Sequence, residues 1–139
     1  MLAGRYTLIE QHSLDNLLPL AQQREVSIVA AGVFNSGLLS KDRPAADASY
    51  NYAPAPAELI DKVNEIADIC EAHGVGLPAV AAQFPLGHET VANICLGARN
   101  AEQVARNVQL FDVDIPVDLW KDLRDASIVR PESVAAFVD

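Results

Sequence analysis

The chain has 139 residues, half of them apolar, and a formal net charge of −9. That length and apolar content suit one domain with its own core, and a second domain is not expected. With 19 acidic against 10 basic side chains, the surface would repel a phosphate backbone, so nucleic acid is a poor partner.

In chain order, residues 2–10 (LAGRYTLIE) read as the end of an extended segment, with Tyr6, Thr7 and Ile9 favouring strand. Ser13 is placed to cap a helix whose Leu14, Leu17, Leu18 and Ala21 share one face, and Pro19 should kink that helix or delay its start. Residues 26–32 (VSIVAAG) form a continuous apolar run, the pattern of a strand covered on both faces in a parallel sheet. From Val33 to Pro56 no period is sustained, which predicts a long loop.

A helix is expected from about Ala57 to His73, with Leu59, Ile60, Val63, Ile66, Ala67 and Cys70 as its apolar stripe and Gly74 as its stop. Pro78 to Phe84 reads as a second, shorter helix, and residues 91–97 (VANICLG) as another buried strand. Val104, Val108 and Phe111 are the expected inward face of the next helix, and a last one runs from Pro116 to about Asp125 with Leu119, Trp120 and Leu123 inward. Strands alternating with helices imply an α/β fold with parallel pairing and right-handed crossovers. Three strands make a thin sheet with two unpaired edges, and such edges are rarely left open. Cys70 and Cys95 lack metal-ligand spacing and sit in apolar patterns, so both are expected to be buried free thiols and no metal site is expected. No run approaches the roughly 20 apolar residues of a membrane span, and no leader-like segment follows Met1, which suggests a soluble, cytoplasmic protein.

Two stretches carry chemistry. In LGARNAEQVARNVQLFDV (96–113), Asn100 is positioned to cap a helix and Gln103 to return a bond to the cap backbone. Capping leaves Arg99 unexplained, because a cation beside a helix N-terminus is unfavourable unless an anion sits between them. A phosphate bound by the free N–H groups of the first turn would supply it. Gln103 and Asn107, four apart, share a face from which amides can reach a ribose or a base, or simply meet solvent. In GVFNSGLL (32–39), which follows a buried strand, Gly37 permits close backbone approach and Asn35 and Ser36 offer partners to a pyrophosphate. A ligand-free strand-to-loop turn fits those residues equally well.

Together GVFNSGLL, YNYAPAPAEL and LGARNAEQVARNVQLFDVDIP resemble the C-terminal part of an aldo/keto reductase, nearest the bacterial aldose dehydrogenases, over almost the whole chain. The resemblance implies the last three strands, with their helices, of an eight-stranded (β/α) TIM barrel that binds NAD or NADP, and a sugar or aldehyde substrate in the full barrel. By position, Phe34, Asn35, Ser36, Gly37 and Leu38 would line the pyrophosphate, and Gly97, Ala98, Arg99, Gln103 and Asn107 would hold the adenosine end. Tyr50 and Tyr52 would lie in a substrate loop. Relatives often place an aromatic ring against the nicotinamide where this chain has Ala31, and Lys-Ser where it has Gly97 and Ala98, so the choice of NAD or NADP stays open. The family's catalytic Tyr, Lys, Asp and His come from the first half of the barrel, and no position here matches them. No catalytic residue is therefore assigned, and Tyr6, His12, His73 and His88 read as structural or surface residues. The expectation is a C-terminal fragment that is inactive alone. The alternative is a non-catalytic nucleotide-binding or structural half-barrel completed by self-association or by an N-terminal companion chain.

Overall fold

In a computed structural model that describes residues 1–138, the chain opens with a short strand, β1 (Leu2–Ala3). The extended segment expected to reach residue 10 stops there. Gly4 takes a positive φ of 63°, and the chain folds back into a tight Thr7–Glu10 turn that buries Tyr6 and Leu8. Ser13 does not cap the next helix. Its hydroxyl donates to the Arg5 carbonyl at 2.7 Å within a separate 3-10 turn, and α1 (Leu17–Gln23) begins later, after Asn16. Pro19 explains the delay: its missing N–H is tolerated only in the first turn, where no intrahelical partner exists.

β2 (Ile28–Ala31) follows, and the long connection after it contains a hairpin of β3 (Ser49–Tyr50) and β4 (Ala53–Pro54) where a structureless loop was expected. Asn51 and Tyr52 both have positive φ, 49° and 65°, the two-residue turn whose twist matches that of antiparallel strands. α2 (Ala57–Ala72) buries the predicted stripe at Val63, Ile66, Ala67 and Cys70. It ends as predicted at Gly74, with φ of 69°: the Val75 N–H donates to Cys70 O and the Gly74 N–H to Glu71 O, both at 3.0 Å. α3 (Leu77–Gln83) is buried along most of its length and runs into a 3-10 turn.

β5 (Val91–Cys95), α4 (Ala101–Gln109), α5 (Val117–Asp125) and a terminal α6 (Ala135–Val138) complete the chain. The three parallel strands lie in the order β1-β2-β5, with Leu2 opposite Ala30, Ala31 opposite Cys95, and an irregularity after Ile28 that lets Ala92 stand out of register. The core lies between this sheet and the helices α1, α2, α3 and α5, around Leu18, Val33, Ile66, Phe84, Leu119 and Leu123. Trp120 stacks on Phe137 at 4.5 Å, seating α6, and His73 Nε2 meets Asp122 Oδ2 at 2.7 Å, tying α2 to α5.

Two burial expectations fail at one place. β5 exposes Ala92, Asn93 and Cys95, so Cys95 is not a buried thiol, and α4 buries none of its residues. Val104, Val108 and Phe111, expected inward, are 52%, 60% and 39% exposed. The cause is topological: β5 is an edge strand, and no described element packs over the side where it and α4 present their apolar faces. No described helix is long and apolar enough to cross a membrane.

Candidate cofactor site

Ala31 and Cys95, the last residues of β2 and β5, are register partners in a parallel pair. The two stretches read as phosphate-binding therefore leave the sheet on the same side, at the carboxyl ends of neighbouring strands. That is where parallel α/β folds place their ligands.

The first turn is shaped by backbone conformation. Gly32 has φ of 61°, and a Cβ there would come within 3.1 Å of Gly4 N, so the close approach of the β1 and β2 ends requires glycine. Asn35, Ser36 and Gly37 follow with φ of 45°, 60° and 90°, three consecutive left-handed residues. Such runs cost energy in non-glycine residues and concentrate where function demands the shape. The N–H groups of Gly37 and Leu39 turn inward to Phe34 O, both at 3.1 Å, while among the described residues those of Phe34 and Ser36 have no partner. Ser36 is exposed, Phe34 is half-buried, and Leu38 is buried as the anchor of the turn. Asn35 differs from Ser36: it is only 5% exposed, and its Oδ1 has no hydrogen-bond partner.

The second turn is held by side chains. Asn100, in extended conformation, caps α4 by accepting from Gln103 N at 2.9 Å. Gln103 reaches back one residue further than expected, its Oε1 accepting from the Arg99 N–H at 2.8 Å instead of from the cap residue's own. Asn107 Nδ2 donates to Gly97 O at 3.1 Å. Each amide thus spends one end on fixing residues 97–100 and keeps the other, the Gln103 NH₂ and the Asn107 carbonyl, for a further partner. The N–H groups of Ala101 and Glu102 lie in the first turn, where the helix itself offers no acceptor. Among the described residues the Arg99 guanidinium takes no ion pair or hydrogen bond, and the space over Gly97 is open. Glu102 also occupies the first turn and offsets part of the attraction for an anion.

Arg106 joins the two turns, its Nη2 donating to Ser40 O at 3.3 Å. This residue was not singled out from sequence, although its position three after Gln103 makes the two neighbours on the helix surface. Gln83 Nε2 donates to Leu110 O and Val113 O, at 2.8 and 2.9 Å, and secures the far end of α4.

The residues fit an anionic dinucleotide on the structure's own terms: two sets of free backbone donors on one side of the sheet, an uncommitted cation, and amides with one end unspent. Tyr50 and Tyr52 stand apart from this cluster. The Tyr50 hydroxyl donates to Glu10 Oε1, fastening the hairpin to the segment after β1, and Tyr52 is fully exposed at its tip. Groups with displaced protonation lie elsewhere in the fold. Burial lowers His88, whose Nδ1 accepts from Thr90 N at 3.2 Å, and raises Tyr6, whose hydroxyl is enclosed without a partner. Among the described residues no group of His, Cys, Asp and Glu side chains is arranged to hold a metal ion.

The aldo/keto reductase family model matches residues 1–128. The chain belongs to the aldo/keto reductase family. It is 46% identical over 129 residues to pyridoxal 4-dehydrogenase from Microbacterium luteolum and 42% identical over 129 residues to D-threo-aldose 1-dehydrogenase from a Pseudomonas species. Each match takes in 93% of this chain but only 37% and 39% of the relative, so the chain spans well under half the length of the aldo/keto reductases it matches. Among solved structures it superposes on a holo-form aldo-keto reductase from Bacillus halodurans with a TM-score of 0.67, at 22% identity, covering 94% of this chain and 44% of that one. The glycerol dehydrogenase from Gluconobacter oxydans gives 0.64 at 20% identity, covering 86% and 39%. Those neighbours are TIM barrels, and the three parallel strands with their helices are the corresponding part of such a barrel.

Proposed function

We propose that this chain supplies the NAD(P)-binding part of an oxidoreductase acting on aldoses or related aldehydes. The observation that carries the reading is the convergence of two donor-rich turns at the carboxyl ends of β2 and β5, bridged by Arg106 and flanked by the unpaired Arg99. In it, the free N–H groups around Phe34 and Ser36 and the Ser36 hydroxyl hold the pyrophosphate, with Gly37 giving the backbone close approach. Asn35 and Leu38 hold that turn from the inside. At the other turn, Gly97 and Ala98 leave room for the adenosine, Arg99 faces its phosphate, and Gln103 and Asn107 contribute their unspent amide ends. The nicotinamide, when bound, accepts or gives up the hydride. This chain's residues fix the cofactor and do not move the proton.

The substrate class follows the relatives, which are named as dehydrogenases of an aldose and of pyridoxal. Tyr50 and Tyr52 form part of a loop on the substrate side, with Tyr52 free at the tip and Tyr50 held by Glu10.

Titration of the 139-residue chain with NADH and with NADPH, followed by nicotinamide fluorescence, tests the reading. Saturable binding is expected, weakened by Arg99→Ala about tenfold or more, the loss of one charge-assisted contact of about 1.5–3 kcal/mol. Absence of binding at millimolar cofactor, or binding indifferent to Arg99→Ala, would overturn it. Aldose-dependent reduction of NAD(P) is expected to be absent in the isolated chain.

A further inference from the structure

The turn at residues 34–37 closes on Ser40, whose N–H and hydroxyl both donate to Gly37 O, at 3.1 and 2.7 Å. Beyond it the chain runs from Lys41 to Asp47 without a buried residue or a regular element. An open cavity of about 410 Å³ is lined by Asp42 and Arg43 of this segment together with Cys70, Val75 and Leu77, so apolar packing does not hold the segment against α2. Among the described residues its only side-chain hydrogen bonds come from Arg43, and they form a fork across α2. Nη1 donates to Asp68 Oδ1 at 2.6 Å and to Asn64 O at 3.3 Å, while Nη2 donates to Glu71 Oε2 at 2.5 Å. Asn64, Asp68 and Glu71 recur at i, i+4 and i+7, so one guanidinium is seated along one face of the helix.

We infer that Arg43 is a positioning residue for the pyrophosphate turn. The shape of the turn comes from its own backbone, and the Arg43 fork limits how often that shape opens, by tethering the residues that follow Ser40 to α2. A ligand held by the closed turn loses affinity in proportion to the time the turn spends open. Exposed ion pairs are individually weak, so the effect is small in size. It is specific in kind, because a planar guanidinium shared between two carboxylates and a carbonyl fixes direction as well as distance, which an ammonium cannot do. The consequence for the cofactor rests on the reading above, whereas the tether itself does not.

The test compares the full chain with Arg43→Ala, with Arg43→Lys, and with Asp68→Asn and Glu71→Gln combined. Inorganic pyrophosphate, NADH and AMP are titrated by calorimetry at physiological salt, and amide exchange is followed at Gly37, Leu39 and Ser40, whose N–H groups close the turn. Exchange about threefold faster at these amides is expected in every variant, with pyrophosphate and NADH each bound about threefold more weakly. AMP, which needs only the turn at residues 97–103, should be unaffected. The combined variant separates tether from charge. It makes the chain less negative, which by itself would tighten anion binding, so weaker binding there is the mark of the lost fork. Unchanged exchange, tighter pyrophosphate binding by the combined variant, or full affinity retained by Arg43→Lys would each overturn the inference. So would a loss of AMP binding equal to that of pyrophosphate, which would mean general loosening. If the unmodified chain binds neither pyrophosphate nor NADH, the cofactor reading falls and the exchange rates alone decide the tether.

Discussion

Replacing Tyr6 by Phe removes one oxygen from the centre of the core. The side chain is fully enclosed, its ring 5.5 Å from Phe84 and 6.1 Å from His88, and its hydroxyl has no hydrogen-bond partner. A buried hydroxyl without a partner costs about 1–3 kcal/mol relative to water, and the ring's own packing is untouched by the change. Tyr6→Phe should therefore stabilise the fold at neutral pH by about 1 kcal/mol, raising the melting temperature by roughly 3–5 °C in a domain of this size. A second signature comes with alkali. Burial, with Glu132 adding to it, raises the folded-state pKa of Tyr6 above its ordinary value near 10. The unfolded chain then releases the phenolic proton while the folded chain keeps it. Stability is complete below about pH 10 and falls above it, by about 1.4 kcal/mol per pH unit at most, until the folded-state pKa is passed. The Phe variant lacks that loss, so its advantage over wild type should widen from pH 10 upward. Urea titrations of both proteins from pH 7 to 11 measure the two effects. Destabilisation of Tyr6→Phe by more than about 1 kcal/mol at pH 7 would refute the reasoning, since it would mean the hydroxyl is satisfied.

Two shorter predictions address the rest of the fold. A thiol reagent applied to the native chain should modify Cys95 rapidly and Cys70 only on unfolding, as read by mass spectrometry, because Cys95 is exposed on β5 whereas burial pushes the Cys70 thiol up to about 12. Glu25→Gly and Ser127→Gly, at the left-handed ends of α1 and α5 where φ is 54° and 59°, should each raise stability by about 0.5–1 kcal/mol in thermal melts, as Gly74 already relieves the same conformation after α2.

Local signals in the sequence carried the interior well. The stripe of α2, its glycine stop, the short α3 and the inward Leu119, Trp120 and Leu123 of α5 are all where their periodicity placed them, because each of those helices has its partner within the chain. The failures share a cause. Val104, Val108, Phe111 and Cys95 have the same apolar pattern as buried residues, yet a pattern records only that a face needs covering and not whether the chain supplies the cover. The hairpin at Ser49–Pro54 was missed for a different reason. Its turn depends on positive φ at Asn51 and at Tyr52, and a bulky aromatic residue gives no hint of that conformation. At the candidate site, Asn100 was legible as a cap and Gln103 as its return contact, whereas the bond from Arg106 to Ser40 depends on how two distant turns come together.

The two turns differ in what shapes each one and what fixes the distance between them. Each side of the proposed cofactor site is built from contacts inside this chain: left-handed backbone at residues 35–37 over a buried Leu38, and side-chain bonds from Gln103 and Asn107 to the loop at 97–100. Each turn takes its shape from these contacts alone. What ties one to the other is weaker, the register of β2 with β5 at an open edge and one 3.3 Å bond from Arg106. Shape at each turn is thus local, while the spacing between the turns depends on how firmly β5 and α4 are held. Removing that bond should loosen the spacing, and the effect should be largest for a ligand long enough to touch both turns. Arg106→Ala is therefore expected to weaken binding of NAD(P)H more than binding of inorganic pyrophosphate, which reaches only one turn, as read by titration calorimetry. An equal loss for both ligands would place the effect of Arg106 within a single turn and refute the coupling.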